Sequence, residues 1–421
     1  MSHNLIVAID IGSLTNSVNL MDHNGNSLYE LKKLSNNLPG ISNLWKVATT
    51  LLKEYNLDGI DFVMESSGPY WFGSYWWLKN QCSTLQSSSV TALNSQIVSG
   101  FKGKFSHKKQ KNDQKDAKTI GDRFRFGNFD PVYVPQGDVL ALRFLTRYRL
   151  SLVQKLVASK GFFLGYLFFK MNEYSRYSRK GNKQKQKLFS NTFGAASTAL
   201  ITKYPSAEDL AAAPLDELIS LIKDASRGLI KDASEKATFA HKIAHDSYPL
   251  PEELKEPIHF ILQETLSLIE FLQKQIQRVD KKIEPIMAFF DDPIRTIPGI
   301  GPVFAAGIMA EAGDLSRFRG HPQVASYFGI IPSMNDSGEF KSSMNHMTKT
   351  GNSYGRYYLI EAANAVRKFN PVFRNYFQKK FAETTPKRFK RALGLTARKL
   401  IRVYYAMKIK NCEFNKSLLP T

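Results

Sequence analysis

The alternation of apolar and polar positions divides the chain into a front part with strands and a longer helical remainder. "NLIVAIDIG" is an apolar strand, and "SVNLMD" and "SLYELKKL" flank "HNGN", whose Asn24-Gly25 pair signals a hairpin. "GISNLWKVATTLLKEYN" has the 3.6-residue period of a helix. "DFVMES" is a short buried strand, "YWFGSYWWLKNQC" a helix and "SSSVTALN" a further strand. Strand hairpin, helix, strand, helix, strand is the order of an α/β ribonuclease-H-like (RuvC-like) domain, closed by a helix carrying "KNDQKDAK". From about Asp138 the pattern becomes helical. Leu262, Thr265, Ile269, Leu272, Ile276, Val279, Ile283 and Ile286 then alternate by three and four. This is a heptad seam that either pairs with Val139 to Met171 or joins two copies of the chain. "DDPIRTIPGIG" ends the seam. The expected domains are 1–130 (catalytic), 131–290 (helical coiled coil, dimerisation) and 291–421 (mainly α, with a helix-hairpin-helix).

Charge narrows the function. Lys plus Arg outnumber Asp plus Glu by 58 to 37, giving a net charge of +21 and a pI near 9.7. Such a surface suits a polyanion, most simply nucleic acid. At 43% hydrophobic residues the chain has ample core material, which excludes bulk disorder. The strongest apolar run, "GFFLGYLFF", is too short to span a bilayer, and no stretch of about 18 apolar residues is expected. "MSHNLIVAIDIG" lacks the basic start and cleavage site of a signal peptide. Cys82 and Cys412 offer neither a disulfide framework nor a zinc cluster. The expected setting is the bacterial or archaeal cytoplasm, at the nucleoid, with no membrane partner.

Four acids change the picture further. Asp10 follows an apolar strand, Glu65 ends a second one, and Asp113 and Asp116 share one helix face within a lysine-rich run. In a ribonuclease-H-like arrangement they converge, and converging carboxylates repel unless a hard cation such as Mg²⁺ (or Mn²⁺) lies between them. Two such ions stabilise the attacking and leaving oxygens of a phosphodiester. Lys102, Lys104, Lys108, Lys109 and Lys111 would hold the substrate backbone beside them. "IDIG" also opens the phosphate hairpin of actin-like sugar kinases, but that fold duplicates its core and no second Asp-Gly hairpin follows.

The last third adds motifs of its own. "TIPGIGPVFAAGIMAEAGD" has the Gly-Ile-Gly turn of a helix-hairpin-helix followed by an amphipathic helix, with backbone N–H groups at Gly299 to Gly301 open to a phosphate. In "NDSGEF", Ser337 sits on a polar turn beside Gly338, a nucleophile candidate with Lys341, Lys349, Arg356 and Arg367 as sources of positive charge. "KRFKRALGLTARKLIRVYYAMKIK" is a basic helix, either a backbone-binding surface or a solvated face.

Taken together, these segments resemble the DEDD transposases of the insertion-sequence family numbered one hundred and ten, relatives of Piv-type DNA invertases. "VAIDIGSLTNSVNLMDHNG", "VMESSGPYWFGSYWWL" and "KNDQKDAKTIGD" carry the catalytic part; "IRTIPGIGPVFAAGIMAEAGDLSRF", "ASYFGIIP", "DSG" and "TKTGN" carry the C-terminal part. Ser95 and Gly355 stand where that family usually has Pro and Leu. The resemblance implies a recombinase in which Asp10, Glu65, Asp113 and Asp116 hold Mg²⁺ and Ser337 attacks DNA. It also implies donor and target DNA as partners, guidance by a structured noncoding RNA, and a dimer or tetramer formed through the coiled coil. The alternatives are a resolvase-type nuclease in which water attacks, a sugar kinase, and a non-catalytic nucleic-acid-binding protein.

Overall fold

The structure, a computed structural model, describes residues 3–105, 113–178, 187–332, 347–383 and 388–415. The side chains of 103–105, 113, 114 and 178 lie outside that description. The chain divides into two compact units, Met1–Val134 and Pro135–Thr421.

The first unit is a mixed α/β domain built on a five-stranded sheet. Strands β1 (Leu5–Asp10), β2 (Thr15–Met21), β3 (Ser27–Ser35), β4 (Ile60–Glu65) and β5 (Ser89–Leu93) run in the order β3-β2-β1-β4-β5. The β1–β2 and β2–β3 pairs are antiparallel, and β1–β4 and β4–β5 are parallel. The helices are α1 (Leu38–Glu54), α2 (Trp71–Cys82), α3 (Ser95–Phe105) and α4 (Asp113–Arg125). This is the element order expected, with α3 added. Asn94 accepts from the N–H of Gln96 at 2.9 Å and so starts α3. Ser95 therefore occupies the first helical position, where a missing N–H costs nothing and Pro and Ser are interchangeable.

The period of two along each strand sorts the core into two layers. Leu5, Val7 and Ile9 join Ile60, Phe62 and Met64 under Leu44, Ala48, Tyr75 and Leu78 of α1 and α2. Ile6, Ala8 and Val63 join Val98 of α3 and Ile120 of α4 on the other face. Gly121 lets α4 lie close to the sheet: a Cβ there would fall 2.4 Å from Met21 Cε and 3.1 Å from Ala8 Cβ. Arg125 ties the end of α4 to the hairpin tip by donating to the carbonyls of His23 and Asn24.

The second unit is helical in its described residues, with one isolated bridge between Pro332 and Met347. Its helices are α5 (Gly137–Lys170), α6 (Asn172–Ser178), α7 (Ala195–Lys203), α8 (Ala207–Ala212), α9 (Leu215–Ala225), α10 (Ala233–His245) and α11 (Glu252–Ala288). They continue with α12 (Pro302–Ala312), α13 (His321–Tyr327), α14 (Ser353–Phe369), α15 (Pro371–Glu383) and α16 (Arg388–Lys410). Two cores form. Phe163 and Leu167 of α5 meet Ile258, Leu262 and Ile269 of α11 in one; Leu142 and Leu152 meet Leu272, Ile276 and Ile283 in the other. The two long helices therefore run antiparallel and link the cores. The heptad seam finds its partner within the chain, on the helix that the sequence offered as one of two possibilities. A fork from Arg149 to Asp280 locks the pair.

One expectation needs correction. Helix α12 is not amphipathic: every residue from Ala305 to Ala312 is buried. Its small side chains allow neighbours to close on all sides, and a Cβ on Gly307 would lie 2.2 Å from the Tyr358 ring. Helix α5 is long and apolar enough by length and composition to cross a membrane, a test that core helices also pass, and polar residues interrupt it so that it holds no unbroken apolar run of about 18. Part of its apolar character serves the two cores, while Phe162, Phe168 and Phe169 remain exposed.

A buried cation in the α6–α10 core has a measurable consequence. Lys170, 1% exposed, donates to the Ile201 carbonyl at 2.6 Å and lies 3.3 Å from His259 Nδ1. Burial pulls its ammonium down to about 7, with Asp209 opposing the shift. Its folded pKa lies below its unfolded value, so between about 10.5 and 7 the unfolded chain binds a proton that the folded chain does not. Its contribution to stability is therefore complete above the upper limit and is lost as pH falls to the lower one. We expect the stability difference between wild type and Lys170→Met to shift in favour of wild type as pH rises through this window. Denaturant titrations at several pH values check it, and a pH-independent difference would refute it.

Candidate active site

The strand period that sorts the core also places the acids. Asp10 continues the Ile6–Ala8 side of β1 and Glu65 the Val63 side of β4, so both belong to the face that α4 covers. Each lies one residue beyond the Ile9–Met64 pair of the parallel register. On α4, Ala117 and Ile120 are buried, which turns the neighbouring Asp116 toward the ends of β1 and β4. The loop after Asp10 is braced: Asn16 accepts from Gly12 N–H at 3.3 Å, and Asn36 donates to the Gly12 carbonyl at 2.9 Å.

Electrostatics ties three of these side chains together. Lys102 Nζ lies 3.0 Å from Asp116 Oδ1. Burial pushes the Glu65 carboxyl above the usual carboxylate range. The Lys102 charge pulls it back, Asp116 raises it further, and the Ser67 hydroxyl lowers it by a hydrogen bond. Asp113 begins α4 three residues before Asp116, on the same face, but its side chain lies outside the described residues. Among the described residues no three His, Cys, Asp or Glu side chains stand close enough together to hold a metal ion. Lys102 pairs with Asp116, and its charge also acts on Glu65. That role in the acid cluster was not legible in the sequence, where Lys102 read as a contact to nucleic acid. The oxygen-only donors, with the Glu65 carboxyl raised by burial and further by Asp116, suit the chemistry of a hard divalent cation.

In the second unit the candidates separate. Ser337 and Lys341 lie outside the described residues, as do Lys108 and Lys109, Lys111, and the side chain of Lys104. The two ends of the Ser337 segment meet at the Pro332–Met347 bridge, continued by Thr348 N–H on the Ile331 carbonyl at 2.9 Å. Gly299, at φ +102°, is pressed on the backbone of α14, where a Cβ would approach Ala365 to 3.1 Å. This packing accounts for a glycine at the position, which stays partly exposed. Gly301 is exposed, caps α12 and has free space around it. Lys349 is exposed at φ +54°. Arg356 donates to the Phe328 carbonyl at 2.9 Å and remains partly exposed.

Sequence reasoning missed Glu311, wholly buried in α12. Arg147 of α5 grips it with two bonds, 2.6 and 2.9 Å, and Arg143 lies 3.6 Å away. Burial alone would lower the Arg147 guanidinium, but the hydrogen bond and charge of Glu311 hold it above its ordinary value. Asn352, from "TKTGN", donates to Glu311 at 2.7 Å and caps α14 by accepting from Gly355 N–H at 3.1 Å. Gly355 is required there, since a Cβ would sit 2.1 Å from the Phe328 ring. An acid in an otherwise apolar helix, "AAGIMAEAG", was the available signal.

Comparison with known proteins agrees with both halves. Residues 7–167 match the IS110-type DEDD model described as "Transposase", and residues 291–378 match the model described as "Transposase IS116/IS110/IS902 family". The chain is 31% identical over 140 residues to a "Probable family 20 transposase" of Pseudomonas aeruginosa, an alignment covering 32% of this chain and 39% of that protein. It is 24% identical over 300 residues to the "Insertion element IS116 uncharacterized 44.8 kDa protein" of Streptomyces clavuligerus, covering 70% and 71%. A "Transposase for insertion sequence element IS1111A" of Coxiella burnetii is 25% identical over 127 residues, 30% of this chain and 33% of its own. The chain thus spans about two fifths of the Pseudomonas relative and a third of the Coxiella one. A DEDD domain implies dependence on a divalent metal. The two models between them match more than half of the chain, in the order and positions of the motifs described above, and on this the chain belongs to the IS110/IS116/IS902 family of insertion-sequence transposases.

Proposed function

We propose that this protein is a transposase that cuts and rejoins DNA through a ribonuclease-H-like acid site and a serine nucleophile. The observation that carries the reading is the placement of Asp10, Glu65 and Asp116 on one face at the ends of two parallel strands, with Asp113 one helical turn from Asp116. Asp10, Glu65, Asp113 and Asp116 would hold Mg²⁺ (or Mn²⁺), which supplies polarisation of the scissile phosphate. The rest belongs to the chain. With a cation bound, Lys102 would be free of Asp116 to meet the phosphate backbone, and Lys104, Lys108, Lys109 and Lys111 would serve the same role. Ser337 Oγ attacks phosphorus, forming a seryl phosphoester as the bond to the leaving sugar oxygen breaks, and that oxygen takes up the proton. The Pro332–Met347 bridge and the Glu311–Asn352 contact hold the described residues on either side of the Ser337 segment, and Lys341, Lys349 and Arg356 add positive charge.

Domain roles follow from this reading. Residues 1–130 are catalytic, 131–290 mediate assembly, and 291–421 carry the serine and the helix-hairpin-helix. Exposed Phe162, Phe168 and Phe169 on α5, with Phe260 and Phe271 on α11, offer an apolar surface on which further copies pack into a dimer or tetramer. A structured guide RNA is the expected source of target choice, supported by the +21 charge. The sugar-kinase alternative loses ground, because the described residues after Val134 form no second sheet.

The test is an adduct assay. Incubated with element-end DNA, its guide RNA and Mg²⁺, wild type should yield a covalent protein–DNA species that denaturation does not disperse, and Ser337→Ala should yield none. Active wild type that cuts DNA without any adduct would sink the serine and leave hydrolysis by water.

A further inference from the structure

The strongest feature outside the acid site is a groove of about 840 Å³ between α13, α15 and α16. The period of α16 builds one wall. Leu395, Lys399 and Val403 form one i, i+4 row turned into the groove, and Arg398 and Arg402 form the adjacent row at its rim. Lys379 faces them from α15. Lys399 Nζ lies 4.4 Å from the centroid of the Tyr376 ring.

Most of these cations lack acidic compensation. Lys380, which also lines the groove, pairs with Glu383 at 2.6 Å, whereas among the described residues Lys379, Arg398, Lys399 and Arg402 form no ion pair. Burial lowers the Lys399 ammonium, and Arg402 and Lys379 lower it further. His321 is lowered by burial and then by Arg402 and Arg398. Holding like charges together costs free energy that only a bound anion recovers. The chain keeps this cluster around a cavity with a carbon floor.

We propose that the groove binds an unpaired DNA strand, with phosphates on Lys379, Arg398 and Arg402 and a base or sugar against Tyr376, Leu395 and Val403. A duplex presents a convex phosphate ridge with its bases stacked inside, and it would leave the carbon floor empty. A single strand fills both parts, since cationic tracks with aromatic platforms suit splayed bases. Few acceptors other than Asn375 and the Tyr376 hydroxyl line the site, so a ribose 2′-hydroxyl gains little there. The inference deepens the transposase reading and rests on it: strand cutting and exchange expose single strands that must be held.

The probe is a fluorescent oligothymidylate of about 20 nucleotides, with a duplex and an oligouridylate of equal length as comparisons, all in EDTA so that cleavage plays no part. Arg398→Gln/Arg402→Gln should weaken oligothymidylate binding at least tenfold. It should also reduce the slope of log affinity against log salt by about 1.4, two contacts at roughly 0.7 each. Lys281→Gln/Lys282→Gln, a pair of exposed cations on α11, is the charge-matched control and should change neither. Tyr376→Leu should weaken the single strand and spare the duplex. Photocrosslinking of bromodeoxyuridine-labelled strand to full-length wild type, mapped by mass spectrometry, should mark α15 and α16. Equal loss in the control, equal loss for the duplex, preference for oligouridylate, or crosslinks confined to other segments would each overturn the proposal. Wild-type adduct formation with Mg²⁺ is measured alongside. If it proceeds while the groove stays unlabelled, the groove assignment fails alone; if it also fails, the transposase reading falls with it.

Discussion

Asp10→Asn is expected to lower DNA strand cleavage by at least about a thousandfold, roughly 4 kcal/mol of transition-state stabilisation. Asn keeps the shape and the hydrogen-bonding reach of Asp but removes its charge. The position tolerates no relocation, because it ends the central strand of the sheet, beside the end of β4 where Glu65 stands. The braces on Gly12 fix the exit of the chain just beyond it. Removing one carboxylate should therefore weaken cation binding without disturbing the fold. Thermal unfolding and DNA affinity in EDTA should match wild type, while cleavage at saturating DNA collapses and high Mn²⁺ restores part of it. Cleavage within tenfold of wild type in a correctly folded variant would remove Asp10 from the site.

Glu311→Ala should destabilise the second unit by about 3–5 kcal/mol, because it strands a buried cation. Arg143, with its side chain 9% exposed, would lose the acid beside it, and Asn352 would lose its 2.7 Å bond to Glu311. Arg147, more exposed and stacked 4.3 Å from the Tyr354 ring centroid, can turn to water. The cost should therefore concentrate on Arg143 and Asn352, and Arg143→Met combined with Glu311→Ala should recover part of the loss. Chemical denaturation of both variants measures this. A loss under about 1 kcal/mol for Glu311→Ala would show that the network is dispensable. The same contact secures Asn352, five residues after the Pro332–Met347 bridge at which the Ser337 segment rejoins the described chain, so strand transfer should fall in the variant under conditions where most of the protein is folded.

Periodicity in the first unit was readable because its strands are short and bounded by turn residues, with β1 and β4 mostly apolar. Alternate positions of β1 and β4 then assign Asp10 and Glu65 to one face with no further information. The seam of α11 was equally plain, but a heptad records only that a face is buried, not which helix buries it. Helix α12 misled in the opposite direction. Its small residues suited a polar exposed face as well as close packing on every side, and only its neighbours distinguish the two.

The sequence by itself determined the strand order of the first unit, the helical character of the second, the four candidate acids and the basic character, because these depend on local period, residue type and summed charge. The tertiary structure decided what lies between distant residues. It decided that the seam pairs in cis with α5, that Lys102 forms an ion pair with Asp116, and that Gly299 packs against a helix backbone. It also decided that Glu311 anchors Asn352 and that Lys379 meets Arg398 and Arg402 across a groove. The physical reason is that pairing across tens or hundreds of residues is fixed by packing and burial of the whole chain, and no local pattern carries it.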